Sequence, residues 1–406
     1  MQFGYHIAKK LSFKTQQTFT KTVTLLAIIA VSISVSVVIL SFGILLGFKK
    51  EIREKVKGYN GDINVTRYQL ASGNETNLFD IDSAFITKTK NDPAIESIYP
   101  FIHKAGILKS DSTLEGIIFK GVPANFNFYF YQKHLVWGKI PIYSDTSDSY
   151  DILISEYTAT ILDLDTGDRV DLYFIDQADV RRRKPKICGV FNTGLREFDK
   201  QFAIADLRSI QRIVDQTYTQ AGGYQINIKD ANSTPEIQDQ LSKLLDYTYA
   251  IQTMQDLYPT MFQWLDIVDT NVLVIIILMS IVAIINIITM LLILIIERIP
   301  MIGILKSMGA SSSKIGSIFN WQGGFILFGG LLLGNIIALG LAHLQKKYTI
   351  IQLNPDTYYM DAVPFHLPLD YLVYINLVAL LVCFIFTYIP IRLIHRIQPV
   401  QSIQFS

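Results

Sequence analysis

Charge is what this 406-residue sequence has least of. Only 17% of it is Asp, Glu, Lys or Arg, against about 25% for an ordinary soluble domain. The formal net charge is +1, so no global basic field argues for nucleic acid as a partner. There are two cysteines, Cys188 and Cys383. One falls in a polar region and one in an apolar run, so no disulfide framework is implied and both are read as packed small residues. No G-x-x-x-x-G-K-[ST] is present, which excludes the usual cradle for ATP phosphates. H-E-x-x-H, C-x-x-C and G-x-S-x-G are absent as well. The six histidines, His6, His103, His134, His343, His366 and His395, are spread over every part of the chain, so no shared metal site is expected. No catalytic group is assigned. No 20–50-residue repeat and no low-complexity tract is found.

Apolar length is what the chain has in excess. Half of it is hydrophobic. A hydrocarbon core about 30 Å thick takes roughly 20 apolar residues in helix. Four segments meet or approach that requirement: Val23 to Leu46, Val272 to Ile296, Phe325 to Ala342 and Tyr371 to Ile389. The first is too long for a signal-peptide core and lacks a small-x-small cleavage site, so it is read as an uncleaved span. Asn286, Asn335 and Asn376 lie within spans, but no charge sits at a span centre. An ion- or proton-coupled carrier is therefore poorly supported, and the asparagines read as interhelical glue.

The layout is one span, a long polar insert from Lys49 to Asp269, then three spans close together. Segments that would be inside carry nine basic residues (Lys9, Lys10, Lys14, Lys21, Arg298, Lys306, Lys314, Arg392, Arg396). The outside flanks carry seven (Lys49, Lys50, Arg53, Lys55, Lys57, Lys346, Lys347). Charge alone thus leaves the orientation open. Ahead of the first span, Phe3, Ile7 and Leu11 share a helical face with Lys10 and Lys14 off it, as in a helix lying in the membrane interface. Behind it, "GFKKEIREKVKGYNGDINV" reads as a helix stopping at Gly58, with a turn at Asn60-Gly61. The insert is mixed α and β. "DINVT", "EGIIFKGV", "RVDLYFI", "KICGVF" and "YQINIK" are strand candidates. "SEYTATILDLDTGD" reads as a helix followed by a turn at Thr166-Gly167-Asp168, "STPEIQDQLSKLLDY" as a helix, and "MQDLYPTMFQWLDIVDTN" is expected to lead as a helix into the second span.

The stretch "ERIPMIGILKSMGASSSKIGSIF" follows the second span at Glu297. Pro300 opens a short helix and Gly309 ends it. Met301, Ile304, Leu305 and Met308 then form an apolar stripe at i, i+3, i+4, i+7. A polar turn would suffice to join two spans, so the stripe needs another purpose. It either enters a groove of a partner protein or rests on lipid.

This stretch resembles the segment joining the second and third spans of FtsX/MacB-type ABC transporter permeases: Glu297-Arg298, a Gly-Ile-Leu core, then Gly309-Ala310. The likeness continues in "INIIT" at Ile285–Thr289, in Gly47-Phe48 followed by a charged helix, in "ISEYTATILDLDTGDRVDLYF" and "KICGVFNTGLREFDKQFAIADL", and in Pro390 and Pro399-Val400. It covers nearly the whole chain and is nearest to the Lol-type lipoprotein-releasing branch. The fold class so implied is an α-helical membrane protein with four transmembrane helices and an α+β extracytoplasmic domain inserted between the first and second spans. The expected division is 1–22 cytoplasmic interfacial helix, 23–48 first span, 49–269 periplasmic MacB-like domain, 270–296 second span, 297–314 cytoplasmic coupling helix, 315–343 third span, 344–370 outer loop, 371–390 fourth span and 391–406 cytoplasmic tail.

The resemblance further implies a bacterial inner-membrane permease subunit with both termini cytoplasmic and no enzymatic activity of its own. A separate LolD-like ABC ATPase would bind ATP and magnesium and dock on Glu297, Arg298, Met301, Ile304, Leu305, Lys306, Met308 and Gly309. No cofactor is expected on this chain. Its partners would be a second permease chain, in a homo- or heterodimer, membrane lipids and a lipoprotein taken from the outer leaflet. Val35, Ile39, Phe42 and Leu46, on one face of the first span, are a candidate cavity wall for acyl chains, or equally a packed face. Gly330-x-x-x-Gly334 reads as a helix contact. One departure stands out. Lol-type members that recruit a periplasmic carrier chaperone have a long, proline-bearing hook where this chain holds only "DQADVRRRKPK", so a chaperone site on this chain is in doubt. The competing class is an FtsX-like regulator of cell-wall hydrolases that transports nothing.

Overall fold

The computed structural model describes residues 18–68, 77–111, 113–176, 179–214 and 218–392. The expected interfacial helix at Phe3, Ile7 and Leu11, the tail with Pro399-Val400, and the tip residues Gln177 and Ala178 lie outside the described residues. The chain divides into two compact units. One comprises 1–50, 264–351 and 363–406, and the other 51–263 and 352–362. Eleven residues from the segment between the third and fourth apolar helices thus belong with the strand-bearing unit.

Four long helices, Thr18–Asn60, Pro259–Glu297, Ser312–Tyr348 and Leu369–Ile391, are apolar enough to cross a membrane. Their apolar residues are spread around the whole circumference, as a lipid-facing helix requires. One apolar core holds the helical unit together. It includes Val31, Val35 and Ile39 of the first helix, Ile287, Leu291 and Leu294 of the second, and Phe319, Ile326 and Ala338 of the third. Small residues set the closest approach. A Cβ on Gly330 would stand 2.5 Å from Val31 Cγ1, and one on Gly334 would stand 2.9 Å from the Ser32 carbonyl oxygen. Gly43 and Gly47 admit Phe365 and Pro364 against the first helix, where the His366 N–H donates to the Gly43 carbonyl at 2.9 Å. Asn335 and Asn376 exchange amide hydrogen bonds of 2.6 and 3.0 Å between the third and fourth apolar helices. Asn286 has no such partner among the described residues.

In the other unit the strands are β1 (Ile63–Arg67), β2 (Phe79–Asp80), β3 (Ile95–Lys109), β4 (Leu114–Val122), β5 (Leu135–Gly138), β6 (Asp151–Ser155), β7 (Asp171–Asp176), β8 (Asp179–Arg183), β9 (Lys186–Phe191), β10 (Phe202–Asp206), β11 (Gln220–Ala221), β12 (Gly223–Ile228) and β13 (Tyr249–Thr253). The main sheet runs β13-β1-β12-β3-β4-β10-β6-β9-β5, with the β7–β8 hairpin attached through β3. All five strand candidates are strands; eight further strands among the described residues are not singled out by the sequence, including the longest, β3, whose pattern Pro100 and Gly106 interrupt. Two cores flank the sheet path. One gathers Ile63, Tyr224, Ile237 and Leu241, the other Phe119, Ile154, Phe174 and Ile210.

Two expected helix ends are corrected. Gly58 is not a stop, since the helix continues to Asn60. A side chain at Gly58 would collide with the Phe130 ring at 2.2 Å, which accounts for the glycine. The stop is Gly61, whose φ of +73° is left-handed and whose N–H donates to the Lys57 carbonyl at 2.8 Å. The expected helix beginning at Met254 is in fact two. Thr253 and Asp256 form a capping box on Met254–Leu257, and Pro259 begins a new helix.

Polar groups knot the strand-bearing unit around residues 59–62. The buried Lys120 ammonium donates to the Tyr59 carbonyl, which gives the helix end a cation, and to Gln225 Oε1 at 2.6 Å. The Tyr59 hydroxyl donates to Asp199 Oδ1 at 2.6 Å, beside Thr193. Asp62 is held by Arg53 and Lys57, both at 3.1 Å, and accepts from the Ile228 N–H at 2.7 Å. Burial pushes Asp199 above the usual carboxylate range and pushes His103 down to about 3, with the Lys120 charge adding to the effect.

Two predictions follow from these contacts. Gly334→Ala, which crowds a backbone oxygen, should cost about 1–3 kcal/mol and lower the thermal midpoint in detergent. Gly340→Ala, where nothing lies within 4 Å, should leave it level or higher. Burial pushes Lys120 from 10.5 down to about 7. Between those values the unfolded chain binds more protons, so this group makes stability rise with pH and withdraws that gain below them. Lys120→Met should therefore gain less in thermal midpoint from about pH 7 to about pH 9.5 than the native chain does. An equal gain in both would show that Lys120 stays charged when folded.

Candidate coupling site

The short helix after the second span runs Ile299–Ser307. Glu297 ends the preceding helix, and Arg298 is the N-cap without a side-chain cap bond. Pro300 lies in the first turn, where a missing N–H costs nothing. Met308 is the C-cap. The Gly309 N–H donates to the Lys306 carbonyl at 3.0 Å and the Ala310 N–H to the Leu305 carbonyl at 2.9 Å, the paired bonds of a Schellman stop. Gly309 has φ +87°, and no atom lies within 4 Å of where its Cβ would be. Conformation, not space, demands glycine here. Ser311 then caps Ser312–Tyr348 by accepting from the Lys314 N–H at 3.4 Å.

The expected stripe divides into two faces. Met301 and Leu305, four apart, pack partly against the helical core, with Ile302 fully buried between them. Ile304 and Met308, also four apart, point away and are 55% and 78% exposed. Lys306 is half-buried and Gly309 exposed. Ile302 lies outside the stripe that the spacing singles out. Ile299, Met301, Ile302, Ile304 and Leu305 are all apolar within seven residues, so more than one helical face satisfies the pattern.

The expected cavity wall is also altered. Val35 and Ile39 are buried in the chain's own helical core, and a Cβ on Gly334 would stand 3.0 Å from Val35. Van der Waals contact with the third apolar helix occupies that face. Phe42 and Leu46 are half-buried and keep some surface. Among the described residues no cluster of His, Cys, Asp and Glu could hold a metal ion.

Four membrane-length helices, a large strand-bearing unit, and a short helix with one seated and one open apolar face define a multi-span membrane protein. The family model described as MacB-like periplasmic core domain matches residues 24–244, and the one described as FtsX-like permease C-terminal matches 273–399. The chain belongs to the FtsX/MacB-type ABC transporter permeases. It is 21% identical over 98% of its length to the lipoprotein-releasing system transmembrane protein LolC of Xylella fastidiosa strain Temecula1, covering 97% of that protein. It is 22% identical over 92% of its length to the lipoprotein-releasing system transmembrane protein LolE of Haemophilus influenzae, again covering 92%. The crystal structure of the periplasmic region of MacB from Actinobacillus actinomycetemcomitans aligns over 50% of this chain and 92% of that one, at 13% identity and a TM-score of 0.36.

The two faces of the short helix should separate by mutation. Ile302→Ala removes a fully buried side chain and should cost about 2–5 kcal/mol of stability. Ile304→Ala and Met308→Ala should stay within about 0.5 kcal/mol of the native chain. Thermal unfolding of the three variants in one detergent checks the order.

Proposed function

We propose that this chain is the transmembrane subunit of an ABC transporter that draws lipoproteins from the outer leaflet of the inner membrane, for transfer to the outer membrane. Similarity to lipoprotein-releasing transmembrane proteins over nearly the full chain carries the reading. The open apolar pair Ile304 and Met308 supports it, because a helix seated on one face and bare on the other suits a partner's groove. In this reading 297–314 faces the cytoplasm, both termini are cytoplasmic, and the domain inserted at 49–269 is periplasmic. ATP and magnesium bind to the separate ATPase, whose closure pulls on the short helices of two permease chains.

The chemistry fits an acylated cargo. Exposing lipid chains to water costs about 0.8 kcal/mol per CH₂, on the order of 30 kcal/mol for three long chains. Such chains must pass between sheltered apolar surfaces. On the first helix Phe42 and Leu46 remain available for this role, and further walls come from the second permease chain. The FtsX-like match over 273–399 is also compatible with a second reading, a regulator of cell-wall hydrolases that moves no cargo.

Ile304→Asp with Met308→Asp should lower co-purification of the ATPase by about tenfold or more while leaving the permease monodisperse, since a charge in a desolvated groove lacks a partner. Leu305→Asp should disturb the helical core as well as docking. Undiminished co-purification in the double variant would refute the coupling role. An acylated protein in the native complex supports lipoprotein release; a hydrolase in its place supports the regulator.

A further inference from the structure

The segment Gln352–Ala362 lies in the chain between the third and fourth apolar helices and packs as part of the strand-bearing unit. It is closed on itself. Gln352 bridges Ala362, and the Leu353 N–H donates to the Asp361 carbonyl at 2.8 Å. Pro355–Tyr358 makes one helical turn, and the Tyr359 N–H donates to the Pro355 carbonyl at 3.0 Å. The segment therefore has bonds enough of its own to move as one piece. Its buried element is Met360, 3% exposed. Tyr359 just before it has φ +61°, a left-handed conformation that an L-residue adopts at a cost and keeps only where its surroundings hold it.

The group that holds it is Lys55, itself buried. Lys55 Nζ donates to the Tyr359 carbonyl at 3.1 Å. A Cβ on Gly194 would stand 3.0 Å from that ammonium and 3.7 Å from Asp361 Oδ2. Gly194, at φ +71°, thus leaves the opening through which the lysine reaches the segment. Burial lowers the pKa of this ammonium; the charges of Glu51, Asp361 and Asp199 work against that shift and Lys133 adds to it.

We infer that residues 352–362 form a releasable strap, clasped by Lys55 and seated by Met360, which opens and closes as a unit. An ammonium held by one carbonyl, with an exposed carboxylate nearby, trades that partner for water when the strap opens. The strap reading needs no particular cargo, but its coupling to the working cycle rests on the proposed ATP-driven function.

The test uses the full chain in mild detergent with Cys188→Ala and Cys383→Ala, and follows maleimide labelling of Met360→Cys. Labelling of a buried thiol tracks the open population, so adding Lys55→Met should speed it by about tenfold or more. Labelling of Thr357→Cys, an exposed position on the same strap, should not change. Equal rates at Met360→Cys with and without Lys55, whether both slow or both fast, overturn the clasp. If Lys55→Met fails to fold, Asp361→Asn decides in its place, with faster labelling expected and unchanged labelling overturning the clasp. In the complex with its ATPase, adding ATP should change the rate by about threefold or more. No change there, with Lys55→Met still accelerating, makes the strap a fixed seal and overturns its release, leaving lipoprotein extraction untouched. If no ATPase accompanies the chain, the proposed function fails, and the Lys55 comparison alone decides the clasp.

Discussion

The helical unit depends on the close approach of its first and third apolar helices. Apolar surface gains nothing by leaving lipid for another apolar surface, so helices in a membrane associate through van der Waals contact and hydrogen bonds. Both require small residues at the contact. Gly330 and Gly334 provide them, letting Val31, Ser32 and Val35 approach the third helix until no side chain would fit. Gly43 and Gly47 do the same further along the first helix, where Pro364 and Phe365 lie against it. The asparagine pair then adds a polar tie to the fourth helix. The same contact explains why Val35 and Ile39 cannot wall a cavity within this chain, since their face is occupied.

The strand-bearing unit follows a different physical rule. Water is the competing solvent there, so apolar burial drives folding and polar groups must be satisfied where they are enclosed. Around residues 59–62 a lysine, two carboxylates, a tyrosine and a glutamine are enclosed together and bonded to one another or to backbone. Replacing Lys120 leaves Gln225 Oε1 without its donor, and replacing Asp199 takes the acceptor from the Tyr59 hydroxyl, so these members depend on one another. Its members come from the first helix, β4, β12 and the helix at 196–201, elements far apart in sequence. Such a knot specifies one pairing order for those elements in a way that apolar packing alone does not.

Much of this was legible in the sequence, and the reasons are local. The spans declare themselves by length without charge. Strands such as "KICGVF" announce themselves by β-branched and aromatic content, and Gly309 by its place after an apolar run. The rest depends on partners distant in sequence. Gly58 looks like a stop until Phe130 is seen against it. The break before Pro259 is the exception, since a proline that opens a new helix after Met254–Leu257 is a local signal. β3 alternates too weakly to be recognised alone, because β4, β7 and β12 pair with it and share its burial. For the coupling stretch, composition could locate the helix but not orient it. Five apolar residues in seven fit several faces, and the core of the helical unit selects one of them.

That selection ties the short helix to the spans beside it, as the proposed coupling role requires. A helix that only rested on a partner would transmit no force, because it could slide or tilt independently of the spans beside it. Here Ile302 is enclosed, Met301 and Leu305 pack on the same core as the spans, and a Schellman stop fixes the turn into the next helix. Displacing the outer pair, Ile304 and Met308, must therefore displace the second and third apolar helices or break a packed core, and close-packed interiors resist the latter. For the proposed coupling role the anchored inner face matters as much as the open one. The exposed pair Ile304 and Met308 and the enclosed Ile302 thus sit on one short helix whose position the packed core fixes.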